Sequence, residues 1–203
     1  MSTHFLAVLG TSLYEPVVYQ MPDSNESCFE QEFVQIAILE RLQDQFSDGG
    51  KITFFLTEKA KKNNWEDRAY SDRDISALTR WTSEKKHEIQ QGNRKQGLKS
   101  TLQSKYPQLY AKTKGVEICD AGTEEEIWSV FETIYDSIEE GDEIVFDITH
   151  GFRSIPMLAI TVINYAKVLK NCTLRGIYYG AYEASKIIDD RKYVPIINLT
   201  IYD

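Results

Sequence analysis

The sequence predicts an α/β fold: a Rossmann-like, mainly parallel sheet with helices on both faces, plus a helical insertion. Short uninterrupted apolar runs alternate with longer segments in which apolar residues recur every three to four positions. This is the pattern of buried parallel strands joined by amphipathic helices. A charged, weakly periodic stretch at about residues 66–114 interrupts the alternation and is expected to form the insertion. The 203 residues, 42% of them hydrophobic, suit one domain with a full core.

The first half of the chain supplies two predicted strands. Residues 5–9 form an apolar run that Gly10 closes, and residues 51–56 form a second run. Runs of this length between turn residues are typical of buried strands. Between them, apolar residues at helical spacing predict a helix over residues 30–45, and residues 57–60 lead from the second strand into a short helix.

The second half repeats the alternation after the insertion. Thr123 with Glu126 three residues later forms a capping box, which predicts a helix start. A long apolar segment predicts another helix over residues 157–169. The strands predicted here are residues 116–119, 143–147 and 174–179, and an edge strand is expected at residues 194–199.

Composition excludes several classes of protein. The net charge of −8 argues against binding to duplex DNA, which favours a basic surface. Three cysteines without CxxC spacing argue against a disulfide framework or a structural zinc site, and we predict no metal and no cofactor. The chain shows no signal peptide and no run of about 20 apolar residues, so a cytoplasmic protein without a membrane contact is expected.

Open parallel sheets bind ligands beyond the carboxyl ends of their strands. This rule selects the loops at residues 10–19, 57–65, 147–156 and 180–183. The candidate ligand-binding residues on them are Gly10, Thr11, Ser12, Tyr14, Thr57, Lys59, Thr149, His150, Gly151, Phe152, Arg153, Ser154, Gly180 and Tyr182.

The third of these loops carries the densest polar cluster. Gly151 permits a sharp turn and close approach to a ligand, and Ser154 is placed to cap the next helix. Arg153 adds a fork of donors suited to a phosphate or a base edge. The alternative is structural, with Asp147 and Thr149 tying down the turn and His150 supporting it.

The first loop is a second candidate for anion binding. The backbone and hydroxyl groups of residues 10–12 offer donors, but the loop lacks GxGxxG and the P-loop lysine, so neither NAD nor a nucleoside triphosphate is supported. Tyr14 and Tyr19 are candidates for stacking on bases, or for simple amphipathic packing.

The decapeptide Asp147-Ile-Thr-His-Gly-Phe-Arg-Ser-Ile-Pro resembles the DxTHG signature of a CRISPR-associated family that contains the CARF (CRISPR-associated Rossmann fold) domain. Other segments resemble that family in the expected order: Leu9-Gly-Thr-Ser-Leu-Tyr with Tyr19, Phe55-Leu-Thr-Glu-Lys-Ala with Asn64-Trp65, Ile177-Tyr-Tyr-Gly-Ala-Tyr-Glu, and Val194-Pro-Ile-Ile-Asn-Leu-Thr. The resemblance covers nearly the whole chain apart from the insertion.

The resemblance implies a homodimer that binds cyclic tetra- or hexa-adenylate, the messenger of type III CRISPR antiviral defence, across its two-fold axis. Residues 1–203 are then one sensor domain, with no C-terminal effector expected. Some such domains are ring nucleases that cleave their ligand without metal, and Ser12, His150 and Arg153 are the candidate catalytic residues here. The alternatives are a sensory module that regulates a partner or a missing effector, and an unrelated regulator that binds another nucleotide.

Overall fold

The computed structural model describes residues 2–21, 27–46, 49–71, 74, 94–149, 154–189 and 191–200. Within these residues, nine strands form one sheet. They are β1 (Thr3–Val8), β2 (Val17–Gln20), β3 (Ser27–Gln31), β4 (Lys51–Leu56), β5 (Thr113–Glu117), β6 (Glu143–Asp147), β7 (Thr173–Gly180), β8 (Lys186–Ile188) and β9 (Arg191–Asn198).

The strand order is β3-β2-β9-β7-β6-β1-β4-β5, with β8 added to β9. The central run from β7 through β6, β1 and β4 to β5 is parallel throughout. β9 pairs antiparallel with β7 and parallel with β2, and β3 continues antiparallel from β2. The sheet is therefore mixed but mainly parallel, as the sequence predicts.

The helices cover both faces of this sheet. They are α1 (Val34–Leu42), α2 (Glu58–Ala60, continued by a π-helical turn at Lys61–Trp65), α3 (Leu98–Lys105), α4 (Pro107–Tyr110), α5 (Glu124–Ser137) and α6 (Ser154–Leu169). Side chains alternate along a strand. Phe5 and Ala7 of β1 accordingly pack with α1 and α3 in one core cluster, and Leu6 and Val8 pack with α5 and α6 in another.

Several predicted elements are confirmed. The capping box is present, with the Thr123 side chain accepting from the Glu126 N–H at 3.2 Å and the Glu126 carboxylate accepting from the Thr123 N–H at 3.3 Å. Helices α3 and α4 lie within the predicted insertion. No helix among the described residues is long and apolar enough to cross a membrane.

Other predictions of elements are wrong in position. The predicted edge strand at residues 194–199 is β9, which lies inside the sheet between β2 and β7. The predicted loop at residues 10–19 ends in β2, and β3 precedes α1, so that helix begins at residue 34 rather than 30. The strand predicted at residues 116–119 begins at Thr113, because it pairs with β4 from there. Helix α6 begins three residues earlier than expected.

Candidate ligand site at the carboxyl edge of the sheet

The four loops selected from the sequence follow strands that are neighbours in the sheet. β7, β6, β1 and β4 are adjacent and parallel, so their carboxyl ends lie at one edge. The loop after β6 contacts the end of β7 through Thr149 and Gly180, and the segment after β4 contacts the loop after β1 through Asn64 and Gly10. The structure therefore brings the predicted loops together.

Thr149 ties two of these strand ends to each other. Its hydroxyl donates to Asp147 Oδ1 at 2.5 Å and accepts from the backbone N–H of Gly180 at 2.8 Å. The Thr149 N–H also donates to Asp147 Oδ1, at 3.0 Å. Thr149 and Gly180, both predicted as ligand-binding residues, thus form one hydrogen-bonded unit on the last residue of β6.

Asp147 is a buried carboxyl group, and none of its hydrogen-bond partners among the described residues is cationic. Its side chain is 0% exposed, and Gln35 of α1 donates to its Oδ2 at 2.8 Å. Burial raises the pKa of Asp147 to about 6, although the hydrogen bonds from Thr149 and Gln35 oppose the rise. The Oε1 atom of Gln35 is itself buried and has no hydrogen-bond partner among the described residues.

Tyr14 shapes the first loop from within the core. It is 2% exposed, and the centroid of its ring lies 5.0 Å from the centroid of the Phe33 ring. Its hydroxyl accepts a hydrogen bond from the Gly10 N–H at 3.1 Å. Burial raises the pKa of the Tyr14 hydroxyl well above its usual value, so this group stays protonated. The structure corrects the idea that Tyr14 stacks on a base, because the packing of α1 against the loop covers the ring.

Tyr19 and Tyr182 form a tyrosine pair beside the same edge. Tyr19 lies in β2 and is fully buried, so it too packs in the core instead of offering a ring to a base. The two hydroxyls are hydrogen-bonded, and the rings meet edge to face with centroids 6.2 Å apart. Tyr182 remains partly exposed, and burial raises the pKa of its hydroxyl to about 12. Of the two, only Tyr182 has side-chain surface exposed beside this edge.

Of the two residues predicted on the second loop, one is buried and structural and the other is exposed. Thr57 is buried and caps α2 by accepting from the Ala60 N–H at 3.3 Å, which makes its hydroxyl part of the helix start. Lys59 is exposed. Further along, Asn63 and Asn64 reach back to the first loop. The candidate site residues taken from the sequence include neither asparagine nor Gln35, although Asn64 belongs to the family-like segment Asn64-Trp65. The sequence signals that could have indicated them are the polar residues that precede Trp65 and the polar residue among the apolar positions of α1.

The remaining predicted residues fall into two groups. Thr11 is half-buried and Ser12 is exposed on the first loop, and Ser154 begins α6. His150, Gly151, Phe152 and Arg153 lie outside the described residues. Among the residues that are described, no three His, Cys, Asp or Glu side chains are grouped in a way that could hold a metal ion.

The sheet order and the helices on both faces define a Rossmann-like α/β domain. A family model described as the CARF domain of the CRISPR system endoribonuclease Csx1 matches residues 4–183. The chain therefore belongs to this CARF family, as the resemblance in its motifs predicts, and is a CRISPR-associated sensor domain of type III systems. CARF domains in general bind cyclic oligoadenylate signalling molecules.

A curated relative supports the same assignment over part of the chain. The CRISPR-associated protein MJ1674 of Methanocaldococcus jannaschii is 35% identical over 79 residues, which is 37% of this chain. The match spans only 12% of that relative's own length, so it bears on a segment of this domain and not on the relative's whole architecture.

Proposed function

We propose that this domain binds cyclic tetra- or hexa-adenylate at the carboxyl edge of its sheet. The observation that carries the proposal is the pairing of the strand-end loops at one edge of the sheet, where Gly180 bonds to Thr149 and Asn64 bonds to Gly10. A ring of repeated nucleotides needs several phosphate and base contacts at once, and adjacent loops supply them in one place. The chemical class of the proposed ligand comes from the family, because CARF domains in general bind cyclic oligoadenylates.

Phosphate groups find two kinds of donor at this edge. Helix α6 has 16 residues and begins at Ser154, directly beyond the β6 loop, and the first turn of a helix offers free N–H groups with partial positive charge. Arg153 immediately precedes it in sequence. In this proposal Arg153 contacts a phosphate or a base, and the loop that contains residues 10–12 holds a neighbouring phosphate.

The outer face of α6 favours a homodimer. Met157 is 74% and Val168 81% exposed, and Ile160 is exposed on the same side of the helix. An apolar stripe of this kind is usually covered by another surface. Because the stripe starts at the end of α6 next to the site, a second copy packed there brings two sets of loops to one symmetric ligand.

Cleavage of the bound ring is the second candidate function. Ser12 is exposed on the first loop, where its hydroxyl can meet a ligand phosphate. In metal-free cleavage the ligand's own 2′-oxygen attacks the adjacent phosphorus and displaces the 5′-oxygen of the next nucleotide. The products are a 2′,3′-cyclic phosphate and a 5′-hydroxyl, which takes up a proton to balance the one lost from the 2′-hydroxyl, and the protein contributes alignment and charge stabilisation. Ser12, His150 and Arg153 are the proposed groups. Without cleavage, the domain acts as a sensor that regulates a partner or an effector.

The test is to titrate the purified protein with cyclic tetra-adenylate and with cyclic hexa-adenylate. Calorimetry measures the Kd, and chromatography of the same mixtures detects linear products. Binding with linear products supports a ring nuclease, and binding without them supports a sensor. Absence of binding to either ring contradicts the proposal. Light scattering on the same samples tests the homodimer, which a monomer both with and without ligand would rule out.

Arg153→Ala is expected to weaken binding by about 10- to 150-fold, because a hydrogen bond to a charged group contributes roughly 1.5–3 kcal/mol. Arg153→Lys restores only part of the affinity, since the planar fork is lost. Arg175→Ala is the matched control. It removes an exposed arginine that pairs with Glu143 at 2.8 Å, and Glu143 is the first residue of β6, at the opposite end of that strand from the proposed site. Unchanged affinity in folded Arg153→Ala protein refutes the contact, and lost binding with a large fall in Tm assigns Arg153 a structural role.

A further inference from the structure

Two adjacent asparagines hold three consecutive backbone carbonyls of the first loop. Asn64 Nδ2 donates to Gly10 O at 2.7 Å and to Ser12 O at 2.8 Å. Asn63 Nδ2 donates to the intervening Thr11 O at 3.1 Å. We call Asn63 and Asn64 the asparagine clamp.

The orientation of Asn64 follows from its contacts. Only the amide nitrogen can donate, and two carbonyl oxygens lie beside it, so the reversed amide would set oxygen against oxygen. The residue is 1% exposed, and its Oδ1 has no hydrogen-bond partner among the described residues. An unsatisfied buried polar atom is unfavourable. Such departures from local satisfaction are expected chiefly at functional sites.

The local backbone around the clamp is also unusual. Lys61–Trp65 forms a π-helical turn, closed by the Glu66 N–H donating to Lys61 O at 3.0 Å. Neighbouring residues on a regular α-helix do not face the same partner. The π turn coincides with the point at which two neighbouring amides reach one loop. Turns of this type are rare and occur frequently at functional sites.

Holding the carbonyls fixes the direction of the N–H groups. In a trans peptide the C=O of one residue and the N–H of the next point in opposite directions across a rigid plane. Clamping the oxygens of Gly10, Thr11 and Ser12 therefore turns the N–H groups of Thr11, Ser12 and Leu13 away from the clamp. Within the part of the chain that the structure describes, no hydrogen bond from these N–H groups is found. Successive N–H groups on one side of a turn make an anion-binding concavity.

We propose that Asn64, supported by Asn63, is a positioning residue that presents the N–H groups of residues 11–13 to a ligand phosphate. This inference rests on the proposed function, because it assigns one phosphate subsite of the ring to that loop. Asn64 itself acts only through the backbone of the loop. The subsite is selective for an anion by virtue of its donors, and it is independent of the contacts proposed for Arg153.

The test compares Asn64→Ala, Asn63→Ala and Asn64→Gln in the full chain. Asn64→Ala frees two carbonyls and is expected to weaken binding of whichever ring the wild type binds by about tenfold or more, whereas Asn63→Ala frees one and weakens it by about threefold. Asn64→Gln keeps the donors and restores part of the affinity. Ile134→Ala, which cuts a buried side chain on α5, lowers stability without touching the loop and should leave the Kd within about twofold.

A second measurement separates positioning from mere folding. Backbone 15N relaxation on the free protein should show residues 11–13 ordered in the wild type and flexible in Asn64→Ala, with Thr149 and Gly180 unchanged in both. The proposed positioning role of Asn64 is overturned if Asn64→Ala binds the ring with wild-type affinity. It is also overturned if residues 11–13 are as ordered in Asn64→Ala as in the wild type. If the wild type binds neither ring, the proposed function fails, and the relaxation comparison still decides whether Asn64 sets the loop.

Discussion

Two buried aspartates flank the same strand, and their environments are opposite. Asp142 precedes β6 and Asp147 ends it, and both side chains are buried. Asp142 contacts His4 Nδ1 at 3.1 Å, Lys51 Nζ at 3.1 Å and the Glu139 N–H at 2.9 Å. Burial favours a raised pKa there, but these bonds outweigh it and lower the pKa of Asp142. Asp147 has the uncharged partners Thr149 and Gln35, and its pKa rises to about 6.

The difference separates a structural end of the sheet from a candidate functional end. The amino ends of β1, β4 and β6 lie at the opposite edge of the sheet, which we call the amino edge. There the charge of Asp142 is compensated by groups that hold the three strands together. At the carboxyl edge, the buried carboxyl of Asp147 has no cationic partner among the described residues, and within the same part of the chain the side-chain oxygens of Gln35 and Asn64 have no hydrogen-bond partner. Ionisable groups with perturbed pKa values gather at functional sites more often than elsewhere, which favours the carboxyl edge as the ligand site.

The largest effect is expected at the amino edge. Asp142→Ala removes the carboxylate that bonds to His4 and to the Glu139 N–H, whereas Lys51 keeps Glu139 at 2.8 Å. The loss of these hydrogen bonds to a buried charged acceptor should lower the free energy of unfolding by about 3–5 kcal/mol, since each contributes roughly 1.5–3 kcal/mol. Urea unfolding at pH 7 measures it. Asp136→Ala, at an exposed position on α5, is the control and should change stability by no more than about 0.5 kcal/mol. A loss below about 1 kcal/mol for Asp142→Ala contradicts this account of the amino edge.

A smaller effect of opposite sign is expected for Asp147→Asn. The folded pKa of about 6 lies above the unfolded value of about 3.9. The protein therefore loses stability as the pH rises from about 4 to about 6, and the loss is complete above about pH 6. Asp147→Asn should then be more stable than the wild type at pH 8, by up to roughly 3 kcal/mol. The new amide can donate to Gln35 Oε1 if the Gln35 amide turns over.

Urea midpoints of the wild type and Asp147→Asn between pH 4 and 8 check this prediction. The two stability curves should converge as the pH falls from about 6 to about 4, because the wild-type carboxyl becomes protonated in both states. The lowered pKa of Asp142 acts in the opposite sense, since its contribution is present above about pH 4 and is lost as the pH falls through its folded pKa. Parallel curves, or a less stable Asp147→Asn at pH 8, contradict the prediction.

The central strands could be predicted because each carries its own signal. β1, β4, β6 and β7 contain apolar runs that need no knowledge of the rest of the chain, and their order of alternation with helices predicts the parallel sheet. β2 escaped prediction because Val17–Gln20 is short and follows Pro16 in a polar loop. The internal position of β9 depends on pairing with β2, which is far away in sequence.

The site could be located from the sequence but not resolved into roles. The rule on strand ends selects loops that the structure places at one edge of the sheet, whereas the burial of Tyr14 and Tyr19 depends on how the core and α1 pack against them. The asparagine clamp joins residues 52 positions apart, Asn63 to Thr11 and Asn64 to Ser12. A contact of that range leaves no pattern in the local sequence. The contribution of Arg153 stays a prediction.

Amide hydrogen exchange with and without saturating cyclic tetra- or hexa-adenylate compares the two edges of the sheet most directly. Ligand binding at the carboxyl edge should slow exchange at residues 10–14, at Thr149 and at residues 180–182, because the bound ligand covers these segments and opposes the local opening that exchange requires. Residues 3–4, 51 and 139–143 at the amino edge should exchange at the same rate in both samples. Slowed exchange confined to the amino edge, or no change anywhere at saturating ligand, contradicts the assignment of the carboxyl edge as the cyclic oligoadenylate site.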